Sequence, residues 1–260
     1  MIPKIIHCCW FGRNPKSKLT KKCIRSWKRY CRGYEIVEWN EDNYDISSAP
    51  LYVRQAYEAK KWAFVTDYVR LQVIYENGGI YLDTDVEMIR RPDKLLSCSA
   101  FFGFEGSKYI ATGLGFGAEK GSPLLKELMD DYSDISFVLE DGAFDATTCP
   151  VRNTEVFVKH GLKADGTYQV LEDGIYFFPT EYFCPVKFGK ITRKTFSVHH
   201  YLGSWCPPEE QASNRIYVER QLHGNRVRIK EYVRYLPKKI TRFLLGEKRY
   251  EQLKIFLKGM

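Results

Sequence analysis

Asp83 and Asp85 stand one residue apart at the end of an apolar run, Gly78-Gly79-Ile80-Tyr81-Leu82. In an extended backbone residues i and i+2 share a face, so both carboxylates can aim at one point. Hard divalent cations such as Mg2+ and Mn2+ prefer oxygen ligands, commonly one or two carboxylates completed by substrate phosphates. An Asp-x-Asp at a strand end therefore suggests a metal that grips a diphosphate. Just upstream, Asp67 and Arg70 are three apart on a helical pattern and share one face. Phe64, Tyr68, Leu71 and Tyr75 form the apolar stripe expected to be the buried side of that helix. Asp67 and Arg70 lie next to the stripe, where a bare charge is costly unless paired. A plain helix-surface salt bridge fits the same spacing.

Taken together, Asp67-Tyr68-Val69-Arg70 followed by Gly78-Gly79-Ile80-Tyr81-Leu82-Asp83-Thr84-Asp85 resembles the sugar-transferring region of family 32 glycosyltransferases and the glucosylating clostridial toxins. The opening Ile2-Pro3-Lys4-Ile5-Ile6-His7 through Trp10-Phe11-Gly12 is similar to the family's first strand. His199-His200-Tyr201-Leu202-Gly203-Ser204-Trp205 is similar to the end of its catalytic region. The three matches stand in the family's order and span most of residues 1–206.

The resemblance implies an α/β fold of GT-A type, a Rossmann-like, mostly parallel sheet flanked by helices, over residues 1–206, with a C-terminal helical extension over 207–260. It implies a metal-dependent, retaining hexosyltransferase that moves a hexose or N-acetylhexosamine from a UDP-sugar to a hydroxyl of a glycan acceptor. Mn2+ or Mg2+ would be the cofactor. Asp85 would ligate the metal, Asp83 would contact the ribose and sugar, and Asp67 and Arg70 would bond the transferred sugar. Arg70 would also offset charge on the leaving diphosphate. Trp10 matches the tryptophan that stacks on uracil; a core tryptophan at a strand end is the alternative. Tyr81 is expected on the strand face opposite the two aspartates, as a ribose or sugar contact. Aligned on Trp205, His200 takes the place of a family glutamate and would be the second metal ligand, a structural histidine being the alternative, with His199 on the other face. Gly203 replaces a family serine ligand, for which Ser204 or water would substitute. Trp205 would donate its indole N–H to a phosphate oxygen. Thr148-Cys149-Pro150 stands where the family has a Thr-Gly-Pro turn. Glu105, Asp145 and Glu155 are spare carboxylates without a spacing that marks a catalytic base.

The elements that must position these residues alternate. Strands are expected at Ile2–Trp10, Tyr34–Trp39, Ile80–Asp83, Ala100–Phe104, Leu114–Ala118, Tyr168–Leu171, Ile175–Phe178 and Thr195–His200. Helices are expected at Lys16–Arg32, Tyr52–Ala59, Ala63–Glu76, from Ser122-Pro123 to about Tyr132, and at Val151–His160, with a loop over Gly142–Thr148. Gly113, Gly115 and Gly117 would let backbone approach a ligand closely. This alternation indicates a largely parallel sheet covered on both faces, which binds ligands at the carboxyl ends of its strands.

At 260 residues the chain fits one α/β domain with embellishments. No apolar run approaches the roughly 18–20 residues of a membrane span, and the first residues do not read as a secretory leader. Eight cysteines without a Cys-x-x-Cys pair are expected as free, mostly buried thiols of a cytoplasmic protein. The net charge of +8 is confined to the tail: residues 226–260 hold eleven Lys/Arg and three Glu, and the remainder balances. A basic amphipathic tail suits peripheral docking on an anionic inner leaflet, within reach of a lipid-linked acceptor. Packing on the domain with its cations in water suits it equally. A role in capsular or other surface-polysaccharide synthesis would follow. Nucleic-acid binding is not expected, since no reader motif accompanies the charge.

Two rivals use the same residues. A phosphatase of the haloacid dehalogenase type also carries Asp-x-Asp on an apolar strand, but it needs a later paired-Asp loop, for which Asp130-Asp131 is a poor substitute. A non-catalytic glycan- or nucleotide-binding module would retain the site without turnover.

Overall fold

The computed structural model describes residues 1–188 and 190–203, and beyond these only 209, 211–214, 216–218, 246, 251 and 252. The chain divides into two compact units, 1–218 and 219–260. Trp205, the expected boundary at 206/207 and nearly all of the basic tail lie outside the described residues.

The first unit opens with β1 (Ile5–Cys9), α1 (Lys18–Tyr30) and β2 (Glu35–Trp39). Helices α2 (Leu51–Glu58) and α3 (Trp62–Asn77) follow, then β3 (Gly79–Tyr81) and β4 (Val86–Met88). Next come β5 (Ala100–Glu105), β6 (Tyr109–Ile110), β7 (Phe116–Ala118), α4 (Pro123–Asp130) and α5 (Cys149–Lys159). β8 (Gln169–Leu171), β9 (Ile175–Phe178), the short α6 (Pro185–Phe188) and β10 (Ser197–His199) complete it. The main sheet runs β2-β1-β3-β7-β5-β9-β8, with β6 on β5. β1 pairs in parallel with β2 and β3, and β5 with β9, while β7 is antiparallel to both β3 and β5. Strands β1, β2, β3, β5 and β9 therefore share one direction. This is the α/β, GT-A-type layout expected, with β6, β7 and β8 running against the majority.

The chain leaves β1 for β2 on one side and later places β3 on the other. The β1/β3 boundary is thus a topological switch point, where open α/β sheets take ligands in a crevice at the strands' carboxyl ends. Trp10 follows β1 and Asp83 follows β3, so both stand at that end of the sheet.

Helix α3 differs from its expected amphipathic form. Val65, Val69, Val73 and Ile74 are buried along with Tyr68 and Leu71, whereas Phe64 and Tyr75 are only partly covered. The helix packs on α2, α4 and β1 at once, so it has no broad solvent face. Gly78, at φ 67°, stops it and turns the chain into β3.

β4 and β10 form a separate two-stranded antiparallel ribbon, in which His199 pairs with Val86 and Val198 with Glu87. Helix α1 anchors this ribbon. Trp27 Nε1 donates to the Val86 carbonyl at 2.7 Å, and the Met88 N–H donates to Ser26 Oγ at 2.9 Å. The helix begins at Ser17, whose hydroxyl accepts from the Thr20 N–H at 3.0 Å, a cap worth about 1 kcal/mol.

Candidate active site

Asp67 and Arg70 are not a surface pair. They are 8 % and 4 % exposed, and Arg70 Nη2 lies 2.9 Å from Asp67 Oδ1 and 3.6 Å from Asp83 Oδ1. Arg70 Nε donates to the Thr66 carbonyl at 2.9 Å, which fixes the guanidinium one turn along its own helix. Burial opposes the charge on Arg70, but Asp83, Tyr81 and Asp67 hold its pKa well above the ordinary value. Burial raises Asp67 against the pull of Arg70. Asp83 is raised by burial too, with Asp85 repelling its charge and Arg70 offsetting it.

Tyr81 corrects the expected orientation. Positions 81 and 83 differ by two, so the strand places them on one side, and the Tyr81 hydroxyl donates to Asp83 Oδ1 at 3.0 Å. Its ring also lies under Arg70, 5.2 Å from the guanidinium carbon. Tyr81 is 1 % exposed and orients Asp83 from behind.

The two histidines are also exchanged relative to expectation. His199 Nε2 lies 3.1 Å from Asp85 Oδ1, whereas His200 Nε2 contacts Glu87 Oε2 at 2.9 Å. The extended run ends before Asp85: the Val86 N–H donates back to the Asp83 carbonyl at 2.9 Å, which makes residues 83–86 a turn. That turn resets the alternation, so Asp85 meets His199, while Glu87 meets His200 and Lys22. The Leu202 N–H reaches Asp85 Oδ2 at 2.8 Å, helped by Tyr201 at φ 49°. Burial opposes the charge on Asp85, yet His199, the Leu202 N–H and His200 hold its pKa down to about 2. One oxygen or nitrogen from each of Asp83, Asp85 and His199 falls within a 4.8 Å group, a spacing suited to one cation. His199 Nδ1 is buried without a partner among the described residues. The two carboxylates suit Mn2+ or Mg2+, and the imidazole favours a transition metal over Mg2+.

Trp10 is partly exposed at the end of β1; its Nε1 donates to the Asn14 carbonyl at 2.8 Å, and Lys16 Nζ lies 5.1 Å from its ring centre. Gly113 makes the closest backbone approach, toward the site's own side chains: a Cβ there would stand 2.4 Å from Asp83 Oδ2. Cys149, in the expected Thr148-Cys149-Pro150 turn, is the first residue of α5. Its Sγ lies 3.9 Å from Arg70 Nη1 and 3.8 Å from the Thr112 hydroxyl, and it hydrogen-bonds Asp67. Of the spare carboxylates, Glu105 contributes to the negative field on His199, and Asp145 is held by Arg152. Asp130 and Asp131 pair with Lys126 and Arg152, so neither forms the paired-Asp loop a phosphatase needs. The seven described cysteines are free thiols and buried.

Residues 17–102 match the family described as the glycosyltransferase sugar-binding region containing a DXD motif. That match covers about a third of the chain. The chain is also 29 % identical over 143 residues to inositol phosphoceramide mannosyltransferase 3 of Schizosaccharomyces pombe. That match covers 52 % of this chain and 38 % of the relative, so the chain spans well under half of that protein. Similar solved structures include the PaToxG glycosyltransferase, at TM-score 0.47 and 17 % identity over 61 % of this chain and 69 % of that one. Another is a glycosyltransferase involved in glycosylation of the major capsid of PBCV-1, at TM-score 0.42 and 12 % identity over 84 % of this chain and all of that one. Within this glycosyltransferase region lie Asp67, Arg70, Tyr81, Asp83 and Asp85; His199 is contributed from beyond it by the β4–β10 pairing. No helix among the described residues is long and apolar enough to cross a membrane.

Proposed function

We propose that this protein transfers a hexose or N-acetylhexosamine from a UDP-sugar to a hydroxyl of a glycan acceptor. The observation that carries this reading is the convergence of Asp83, Asp85 and His199 beside the buried Asp67–Arg70 pair. A divalent cation held by those three side chains would supply positive charge to the departing diphosphate. Arg70, whose charge is secured by two carboxylates, presents a cation to the same region. Asp67 and Asp83 offer acceptors for sugar hydroxyls at positions fixed by Arg70 and Tyr81. Trp10, at the carboxyl end of β1, offers a π-face for the base. Trp205 remains the expected phosphate contact, on family resemblance alone.

A retaining, front-face course fits this arrangement. Asp67 and Asp83 both flank Arg70, which draws on their electron density and makes either a weak nucleophile. The leaving phosphate would then accept the acceptor's proton. The mannosyltransferase relative is named for an inositol phosphoceramide acceptor, which supports a lipid-linked glycan here. Membrane docking through residues 226–260 belongs to the same proposal.

The test is a panel of UDP- and GDP-sugars assayed for nucleotide diphosphate release with Mn2+, with Mg2+ and after chelation. Cation-dependent UDP release with one sugar supports the reading. Release of inorganic phosphate, or turnover indifferent to chelation, would overturn it.

A further inference from the structure

At the end of the β4–β10 ribbon away from Asp85 there is a second cavity, of about 490 Å3. Arg90, Arg91, Lys94, Arg193 and Lys194 line it, with Asp93 the one acidic residue in the lining. Arg91 is committed to Asp93, and Lys194 to Glu181 at 2.9 Å. Among the described residues, Lys94 and Arg193 have no acid partner, nor has Arg90. Three cations are thus left uncompensated around one opening.

The cavity is shaped by fixed groups. The Phe196 carbonyl accepts from the Ile89 and Arg90 N–H groups at 2.9 and 3.1 Å, which prolongs the ribbon to its rim. Arg90 Nε donates to the Thr195 carbonyl at 3.2 Å, so one edge of the guanidinium is anchored and its terminal nitrogens are left for another acceptor. The buried Phe196 ring contributes to the lining, and Tyr182 stands beside it with Lys194 over its ring. From Tyr182 the rings continue outward, to Phe178 at 4.8 Å and from there to Tyr168 at 5.6 Å. Tyr168 is 51 % exposed, and Val170 on the edge strand β8 is 48 % exposed.

Uncompensated arginine and lysine around a small cavity recognise a phosphate group. Exposed aromatic and aliphatic side chains continuous with them suit the headgroup level of a bilayer, where amphipathic rings partition. A cavity of this volume admits a single headgroup and is too small for a nucleic-acid helix. We propose that this face docks on an anionic lipid surface, with the cavity taking a headgroup phosphate and Tyr168 and Val170 resting at the interface. The site is separate from the catalytic one: four residues, Val86 to Ile89, stand between Asp85 and Arg90, an extended span of up to roughly 16 Å. Docking there would hold the catalytic site a short distance above the bilayer, within reach of a lipid-borne glycan. It uses neither the metal nor the nucleotide, so it stands or falls apart from the transferase reading.

The test uses the full chain and phosphatidylcholine vesicles with and without phosphatidylglycerol. Each cation near an anionic surface contributes about fivefold in partition, so Lys94→Gln with Arg193→Gln should weaken binding to the anionic vesicles about 25-fold. Binding to neutral vesicles should not change. Tyr168→Ala should weaken binding to both. Since the parent and both variants retain the tail, its contribution cancels in the comparison. In parallel, glycerol phosphate is titrated calorimetrically, and UDP release is followed with a soluble acceptor. Unchanged partition of the double variant, or saturation by glycerol phosphate with no effect of the variants on vesicles, would overturn the proposal. UDP release should be the same in the variants and the parent; a parallel loss of release would mean the face serves catalysis instead.

Discussion

His199 Nε2 lies 3.1 Å from Asp85 Oδ1, while the adjacent His200 turns to Glu87. The two side chains therefore respond differently to loss. Loss of residues that merely support a ligand commonly weakens metal affinity 10–100-fold, and a direct ligand should cost no less. His199→Gln is expected to weaken Mn2+ affinity at least about tenfold by titration calorimetry. His200→Gln should change affinity less and show its main effect in thermal stability, because Glu87 keeps Lys22 as a partner. A larger affinity loss in His200→Gln than in His199→Gln would reverse the assignment.

The exchange of the two histidines marks where sequence stopped being informative. The five longer helices and most of the strands follow from periodicity and turn residues, the short β4, β6 and α6 do not, and the Asp67, Arg70, Asp83 and Asp85 cluster follows from motif spacing. What local pattern could not give was the pairing of β4 with β10. Three-residue strands carry almost no periodic signal, and β4 follows directly on the motif it helps to orient. The turn over residues 83–86 then breaks the alternation on which any assignment of facing depends. Tyr81 is a different case: its two-residue offset from Asp83 puts both on one side, so the opposite face expected for it misapplied the alternation. Cys149 and Leu202 act through a thiol contact and a backbone N–H, neither of which residue type advertises.

Arg70 is the pivot of the buried charges. Replacing it by Met leaves Asp67 buried beside an apolar chain, and breaking such a pair costs about 3–5 kcal/mol. Urea unfolding of Arg70→Met should register a loss of that order. Asp67→Asn introduced into the same variant should recover part of it, because the uncompensated charge is gone. Neither protein should release UDP at a measurable rate. If Asp67→Asn made the Arg70→Met protein still less stable, the pair would not be an ion pair in the folded state.

Gly113 separates packing from function. Its φ lies outside the left-handed range, so a side chain there brings no backbone strain. A methyl group would nonetheless press on Asp83 Oδ2 at 2.4 Å and on Arg70 Nη1 at 3.1 Å. Asp83 is the most exposed member of this group, its side chain being 27 % exposed, and moving it aside gives up the hydroxyl bond from Tyr81, a loss of about 1.5–3 kcal/mol. Gly113→Ala should therefore lower the melting temperature by only a few degrees. UDP release should fall by about 100-fold, the cost associated with a 1 Å misplacement of a site group. Retained activity would mean that Asp83 has freedom to work from another position.

His7 gives the fold a pH dependence away from the catalytic cluster. It is 1 % exposed, accepts from Trp39 Nε1 at its Nδ1 and bonds the Gly78 carbonyl through Nε2, each at 3.0 Å. Those partners select the neutral ring with its proton on Nε2, and burial lowers the pKa from 6.5 to about 4. The unfolded chain binds a proton at His7 below about pH 6.5, whereas the folded chain does so only below about pH 4. Stability contributed by the neutral ring is thus fully present above pH 6.5 and falls as pH drops toward 4, by about 3 kcal/mol in all. Urea midpoints measured across that window should decline for the parent protein. In His7→Phe the whole curve should be lower, because Trp39 and Gly78 lose a partner, and its slope between pH 4 and 6.5 should be shallower. An equal slope in both proteins would assign the pH dependence to another group.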